Sequence, residues 1–384
     1  MIEHSPDVVV IGGGIVGLST AYHLALLRAG RVVLIERAEM LGTGSTGRCA
    51  GGFRHQFSAE INIRLSLESI RMILNFESET GCAVDVHQDG YLFLLTRPEE
   101  LEAFRASIAL QNRLGVPSQL LDPGAAAQLA PYLDLESVIA AAYCSWDGIA
   151  DPHGLTQGYA AAARRLGVEI RTGVAAAGLR VRRGRIEGVH TSAGFIPCGA
   201  VVNAAGPWAR EVAGWAGVDL PVHPVRRHVY TTHPFPAAPS DFLMVIDFTT
   251  TFYCHRESGG VLMGMGDPEE RPGFNLDVNP AFLDRVLATA LRRYPQLGEA
   301  AVNRAWAGLY EMSPDAHPIL GRVEGMEGFY LANGFSGHGF QHAPVTGRLV
   351  AEEIVFGGAR TLDIAPLRFD RLARGVPARE ANVV

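Results

Sequence analysis

The sequence predicts two lobes, one α/β and one α+β, with the chain crossing between them more than once. Three observations carry this reading. An apolar run, a glycine-rich turn, a helical pattern and a second apolar run fill the first 36 residues. Two long stretches, 84–148 and 219–315, carry strand and helix patterns of their own. Between and after them stand further single strands, each running into a turn of small residues.

The elements follow in chain order. Asp7-Val-Val-Val-Ile11 is continuously apolar, as a parallel strand covered on both faces is. Gly12-Gly-Gly14-Ile15-Val16-Gly17 comes next, spaced G-x-G-x-x-G, and a helix pattern runs from Leu18 to Arg28. Arg31-Val-Val-Leu-Ile35 is a second buried strand closing on Glu36 and Arg37. The glycines differ in what they permit. Gly12 allows the tight turn, Gly14 lets backbone approach a pyrophosphate, and Gly17 lets helix pack on strand. The helix N-terminus presents free N–H groups to phosphate. Glu36, 24 residues after Gly12, suits a ribose diol without a 2′-phosphate, as in FAD or NAD.

The next segment favours FAD. Gly42 to Gln56 is a second Gly/Ser/Thr loop where a nicotinamide enzyme continues with another βα unit. Such a loop suits the extended diphosphate and ribityl chain. A helical run is predicted from Glu60 to about Thr80, a strand over Val168–Val174, and a hairpin of Leu179–Arg183 and Arg185–Thr191 turning at Gly184. Gly199 to Trp208 reads as a strand ending in a small-residue turn, Gly328–Ala332 as a strand, and Pro344–Phe356 as a helix. The Rossmann-type FAD-binding domain therefore comprises 1–83, 149–218 and 316–384. A substrate domain with a mixed or antiparallel sheet comprises 84–148 and 219–315, and chemistry is expected where the two meet.

Composition narrows the function classes. Net charge is −7 over 384 residues, against nucleic acid or an anionic membrane as main partner. All 33 basic residues are arginine and none is lysine, which excludes a Schiff-base lysine and a nucleotide P-loop. The five cysteines (Cys49, Cys82, Cys144, Cys198, Cys254) form neither a zinc pattern nor a disulfide framework, and no metal site is expected. The stretch before the first strand is too short for a signal peptide, and glycines interrupt the apolar run 8–27. A cytoplasmic protein is expected.

The chain resembles the D-amino-acid oxidase superfamily, and more narrowly its sarcosine oxidase, glycine oxidase and L-proline dehydrogenase β-subunit group. The matching pieces are Val9 to Ser19, Gly44 to Arg48 with Gly51 to His55, Val202 to Trp208, Trp306 to Gly321, and Gly334 to Phe340. The resemblance implies FAD held by Gly12, Gly14, Ile15, Val16, Gly17, Glu36 and Arg37. It adds Ser45, Thr46 and Arg48 on the diphosphate side, Val174 beside the adenine, and Gly44, Gly51 and Gly52 among the cofactor-binding residues. Ala204, Ala205, Gly206, Trp208 and Gly308 complete the walls. Gly337, His338, Gly339, Phe340 and Gln341 are assigned to the pyrimidine edge, and Gly334 is counted with the cofactor-binding residues. Several relatives attach FAD through a cysteine in the segment matching Ala307–Pro314. Gly308 stands there in this chain, so non-covalent FAD is expected.

The resemblance further implies oxidation of the C–N bond of a small amino acid: sarcosine or another N-substituted glycine, proline or glycine. Arg54 falls where the family binds the substrate carboxylate, and a guanidinium fork matches a carboxylate in shape and charge. Tyr253, Tyr310 and His338 are the other candidate catalytic residues, with Met244 and His55 as substrate walls. Two lysines of monomeric sarcosine oxidases, one promoting reaction with dioxygen and one holding carboxylate, match Leu262 and Gln341. Dioxygen or another electron acceptor thus stays open. An alternative is a flavin subunit of a multi-subunit amino-acid dehydrogenase, passing electrons to partner subunits.

Overall fold

The computed structural model describes residues 5–373, 375 and 379–383. Residues 1–4, 374, 376–378 and 384, within the expected FAD domain, lie outside the described residues. Its first sheet has six strands in the order Ile319–Arg322, Phe329–Asn333, Ala200–Asn203, Val8–Ile11, Val32–Ile35 and Glu169–Arg171. Val8–Ile11 pairs in parallel with Val32–Ile35 on one side and Ala200–Asn203 on the other. It is buried on both faces, which is why its sequence shows no alternation.

The helix Ile15–Leu26 covers one face and packs along the C-terminal helix Gly339–Phe356. Gly347 makes that approach possible, because a Cβ there would collide with Ser19. The antiparallel strands Ala176–Arg182, Arg185–Thr191 and Gly194–Pro197 bring Ile186, Val189 and Ile196 against the opposite face.

The second sheet has eight strands, all drawn from residues 84–148 and 219–315. Their order is Val302–Met312, His223–Thr232, Gly260–Met265, Phe252–Glu257, Met244–Asp247, Tyr91–Leu95, Ala140–Cys144 and Gln119–Leu121. Most pairs are antiparallel, but Met244–Asp247 runs parallel to Tyr91–Leu95, so the sheet is mixed. A short sheet of Gly52–Phe53, Gly148–Ala150 and Val86–His87 joins the two layers. Among the described residues no helix is long and apolar enough to cross a membrane.

Several element boundaries depart from the sequence reading: the strand expected over Val168–Val174 spans only Glu169–Arg171, and the first hairpin strand starts at Ala176 rather than Leu179. The first helix starts at Ile15, inside the glycine motif, and ends at Leu26 because Arg28 turns to φ 58°. The run 60–80 is two helices, Glu60–Leu74 and Phe76–Thr80, separated at Asn75. The Asn75 amide donates to the Arg71 carbonyl, the local side-chain bond that makes Asn a poor helix-interior residue. The C-terminal helix begins at Gly339 rather than Pro344, so Pro344 lies inside it. A proline in the second turn forfeits one intrahelical bond, and packing against Ile15–Leu26 outweighs that loss.

Candidate active site

A cavity of about 440 Å³ runs from the glycine turn to the large sheet. At its outer end Glu36 accepts hydrogen bonds from Gly13 N (2.7 Å) and Ala38 N (2.8 Å). A carboxylate offers about four acceptor positions, so these two fix its orientation and leave room for a diol. Arg37 stacks over Trp208 at 3.5 Å, and Val174 N donates to the Glu36 carbonyl, closing a slot for a flat ring.

The glycine turn fits a pyrophosphate. Gly12 has φ 119°, and a Cβ there would collide with the Ala204 carbonyl. A Cβ on Gly17 would strike the Gly12 carbonyl, so that glycine sets helix-to-turn packing and does not face the cavity. Gly14, Ile15 and Val16 line the cavity at the helix N-terminus, where Ile15 N donates to Thr46 Oγ1 (3.2 Å).

The second loop is fastened across to the strand Val302–Met312. Ser45 Oγ donates to the Leu309 carbonyl (2.7 Å), Arg48 Nη1 to the Ala307 carbonyl (2.8 Å), and Trp306 Nε1 to the Arg48 carbonyl (3.0 Å). Gly44, Ser45, Thr46 and Arg48 thereby form one wall, with Ala204, Ala205, Gly206 and Trp208 opposite. Gly308 lines the cavity against Arg48 and carries no nucleophile.

Tyr253, Tyr310, Gly337, Gly339 and Phe340 wall the inner end. Burial pushes both tyrosine hydroxyls above their ordinary range, so each is a neutral donor at physiological pH. Two residues that the sequence reading passed over also line this cavity. Arg227 places its guanidinium 5.0 Å from the Tyr310 ring centroid. Glu311 leaves one buried carboxyl oxygen without a partner, and burial pushes its pKa up to about 8.

Other expected site residues lie behind this wall. Among the described residues, Arg54, His55, Gly51, Gly52, Met244, Gly334, His338 and Gln341 do not line the cavity. Arg54 is only 4% exposed, and its guanidinium donates to the carbonyls of Gln56 and Asn382. Its fork is thus already engaged by backbone, with the Phe57 ring 4.0 Å away. Gln341 clasps the Arg54 backbone from both sides, and His338 Nε2 lies 3.5 Å from Nη2 of Arg54. Burial, and then the Arg54 charge, hold His338 well below the ordinary histidine range.

Gly51 and Gly52 are glycines for packing reasons. Side chains there would meet the Ala150 carbonyl and the Tyr91 hydroxyl respectively. Gly334 abuts Ser313, and Met244 abuts the Gly52 position. Leu262 faces a neighbouring cavity beside Thr231 and Thr232. His55 donates from Nδ1 to Asp147 Oδ1 at 2.8 Å, and the Asp147 carboxylate also accepts from His55 N and Gln56 Nε2. The fold brings ligand atoms of His55, Cys144 and Asp147 within 4.8 Å, a grouping invisible in the spacing. Protein hydrogen bonds already engage both oxygens of Asp147, so the group reads as structural.

The glycine turn, Glu36 and the loop from Gly42 to Ala50 line one continuous cavity, and these residues fit FAD. The wider comparisons agree. The chain is 32% identical to mitochondrial dimethylglycine dehydrogenase of Rattus norvegicus in a 371-residue alignment that covers 91% of this chain and 43% of that protein. It therefore spans less than half the length of that relative. Among solved structures, L-proline dehydrogenase from P. horikoshii superposes with a TM-score of 0.91 at 36% identity, covering 97% of this chain and 99% of that one. Glycine oxidase from Geobacillus kaustophilus superposes with a TM-score of 0.85 at 25% identity, covering 95% and 98%. The family model for FAD dependent oxidoreductases (DAO) matches residues 7–353, so the chain belongs to that family of oxidoreductases and FAD is its cofactor.

Proposed function

We propose that this chain oxidises the C–N bond of a small amino acid, namely sarcosine or another N-substituted glycine, proline or glycine. The observation that carries the reading is the inner end of the cavity, where two neutral tyrosines and one arginine converge beside the expected flavin edge. Bound FAD would take the hydride equivalent at N5, after which water hydrolyses the imine. The protein's part is to bind, orient and exclude solvent. Tyr253 and Tyr310 present hydroxyl donors on a largely apolar wall, and their raised pKa values suit hydrogen bonding rather than proton abstraction. The N-terminus of Gly339–Phe356 points positive dipole at the same region and favours negative charge there.

Neighbours support the substrate class, since relatives named for dimethylglycine, proline and glycine share this fold over nearly the whole chain. The electron acceptor is dioxygen or another acceptor such as a partner subunit. The test is anaerobic: purified holoprotein is mixed with a panel of amino acids and bleaching of the flavin absorbance is followed. Sarcosine, dimethylglycine, proline or glycine should bleach it. A flavin that no amine reduces would end the proposal. Reoxidation by air, compared with reoxidation by an artificial dye, then separates oxidase from dehydrogenase.

A further inference from the structure

We propose that Arg227, rather than Arg54, is the cation that receives the carboxylate of the substrate; this rests on the amino-acid reading above. Because the chain has no lysine, any cation in the cavity wall comes from arginine or a protonated histidine. Among the described residues three arginines line the cavity: Arg37, Arg48 and Arg227. Arg37 lies over Trp208 at the outer end, and Arg48 donates to the Ala307 and Thr43 carbonyls. Arg227 is the one beside both tyrosines.

Its donors are largely unspent. Nε is buried with no hydrogen-bond partner, and Nη1 donates only to the carbonyl of Arg226 at 3.1 Å. Among the described residues no carboxylate pairs with it, whereas adjacent Arg226 is paired with Glu270 at 2.9 Å. A guanidinium half-withdrawn from water with its Nε unsatisfied is costly unless an anion completes it. The setting gives it room: it pairs across the sheet with Gly308, and its Nε lies 3.9 Å from the Cβ position of Gly266. Glycine at both places leaves the fork space to meet a planar carboxylate on two parallel N–H bonds. Arg54 lacks that freedom, since carbonyls of Gln56 and Asn382 hold its guanidinium.

The test uses FAD-loaded protein and an unreactive probe. Propionate, and its uncharged isostere propionamide, are titrated while the flavin absorbance is followed. Wild type should bind propionate in preference to propionamide. Arg227→Met should weaken propionate about 10- to 100-fold, the weight of one or two charge-assisted bonds, with propionamide and FAD retention unchanged. Arg227→Lys, which keeps the charge and loses the fork, should fall between, and it serves as the probe should the Met variant not fold. With a reactive amino acid the loss should appear mainly in KM.

In the propionate titration, three results would overturn the inference, beside the kinetic one given below: wild type that does not discriminate propionate from propionamide, variants with wild-type propionate affinity, or variants that shed FAD yet bind propionate normally once reloaded. The last would assign the cation to the diphosphate. If no amino acid reduces the flavin while propionate binding still depends on Arg227, the anion site stands and the functional reading fails. If amino acids reduce the flavin of the variants with an unchanged KM, the functional reading stands and the anion site fails.

Discussion

Glu380 should act as a helix cap supplied from the far end of the chain. The helix Glu60–Leu74 starts at Ala59, whose side chain cannot cap. Glu380, 1% exposed, fills the gap by accepting from Ser58 N (2.8 Å), Ser58 Oγ (2.6 Å), Ala59 N (3.0 Å), Asn62 Nδ2 (3.0 Å) and Asn382 N (2.9 Å). Glu380→Gln keeps the shape, removes the charge and turns an amide donor towards other donors. Losing charge-assisted bonds and the favourable end-of-helix charge should cost about 2–3 kcal/mol. Unfolding entropy near 2.1 cal/mol/K per residue gives about 0.8 kcal/mol/K for a chain of this length, so Tm should fall by about 3 °C.

The pH dependence provides the sharper check on the same variant. Burial works to raise the Glu380 pKa, but bonds from Ser58, Asn62 and Asn382 together hold it below the ordinary carboxylate value. A depressed carboxyl contributes stability above its unfolded pKa and loses it as pH falls through the folded one. The Tm gap between wild type and variant should therefore be constant from pH 8 to about 5.5 and shrink below about 4.5. Thermal unfolding followed by circular dichroism measures it. An unchanged Tm at pH 7, or a gap undiminished at pH 4, would refute the cap.

Other consequences follow from the cavity. Gly12→Ala forces a Cβ into the Ala204 carbonyl at φ 119°, so the purified variant should carry little FAD, read from the ratio of flavin to protein absorbance; full loading would contradict the cradle. Glu311 behaves in the opposite sense to Glu380. Its raised pKa, near 8, means the folded state keeps a proton that the unfolded chain releases, so wild-type stability declines between about pH 5 and 8 relative to Glu311→Gln. Parallel Tm curves for the two flavin-free proteins over that range would exclude this. With Gly308 where some relatives carry a cysteine, acid precipitation should release all flavin into the supernatant, and yellow colour in the pellet would show a covalent bond.

What could be read in the sequence was local. The run Asp7 to Glu36 is one supersecondary unit, and Gly17 answers to the Gly12 carbonyl within it, although Gly12 itself answers to the distant Ala204 carbonyl. Spacing therefore pointed to a dinucleotide, a glycine cradle and a ribose carboxylate, while the choice of FAD over NAD came from the composition of the following loop and from the family resemblance. The loop 42–56 announced an extended ligand chain by composition, but not that its Gly51 and Gly52 serve the Ala150 carbonyl and the Tyr91 hydroxyl.

Tertiary structure decided which arginine is free. Arg54 and Arg227 are equally plausible as letters, and Arg54 had the family position in its favour. Arg54 is engaged by the carbonyl of Asn382, 328 positions away, while Arg227 stands between strands that place Tyr253, Tyr310 and Gly266 around it. No sequence window holds such partners together. Whether a guanidinium is already satisfied or still seeks an anion depends on desolvation and on carbonyls brought close by folding, and that difference separates a structural arginine from a binding one.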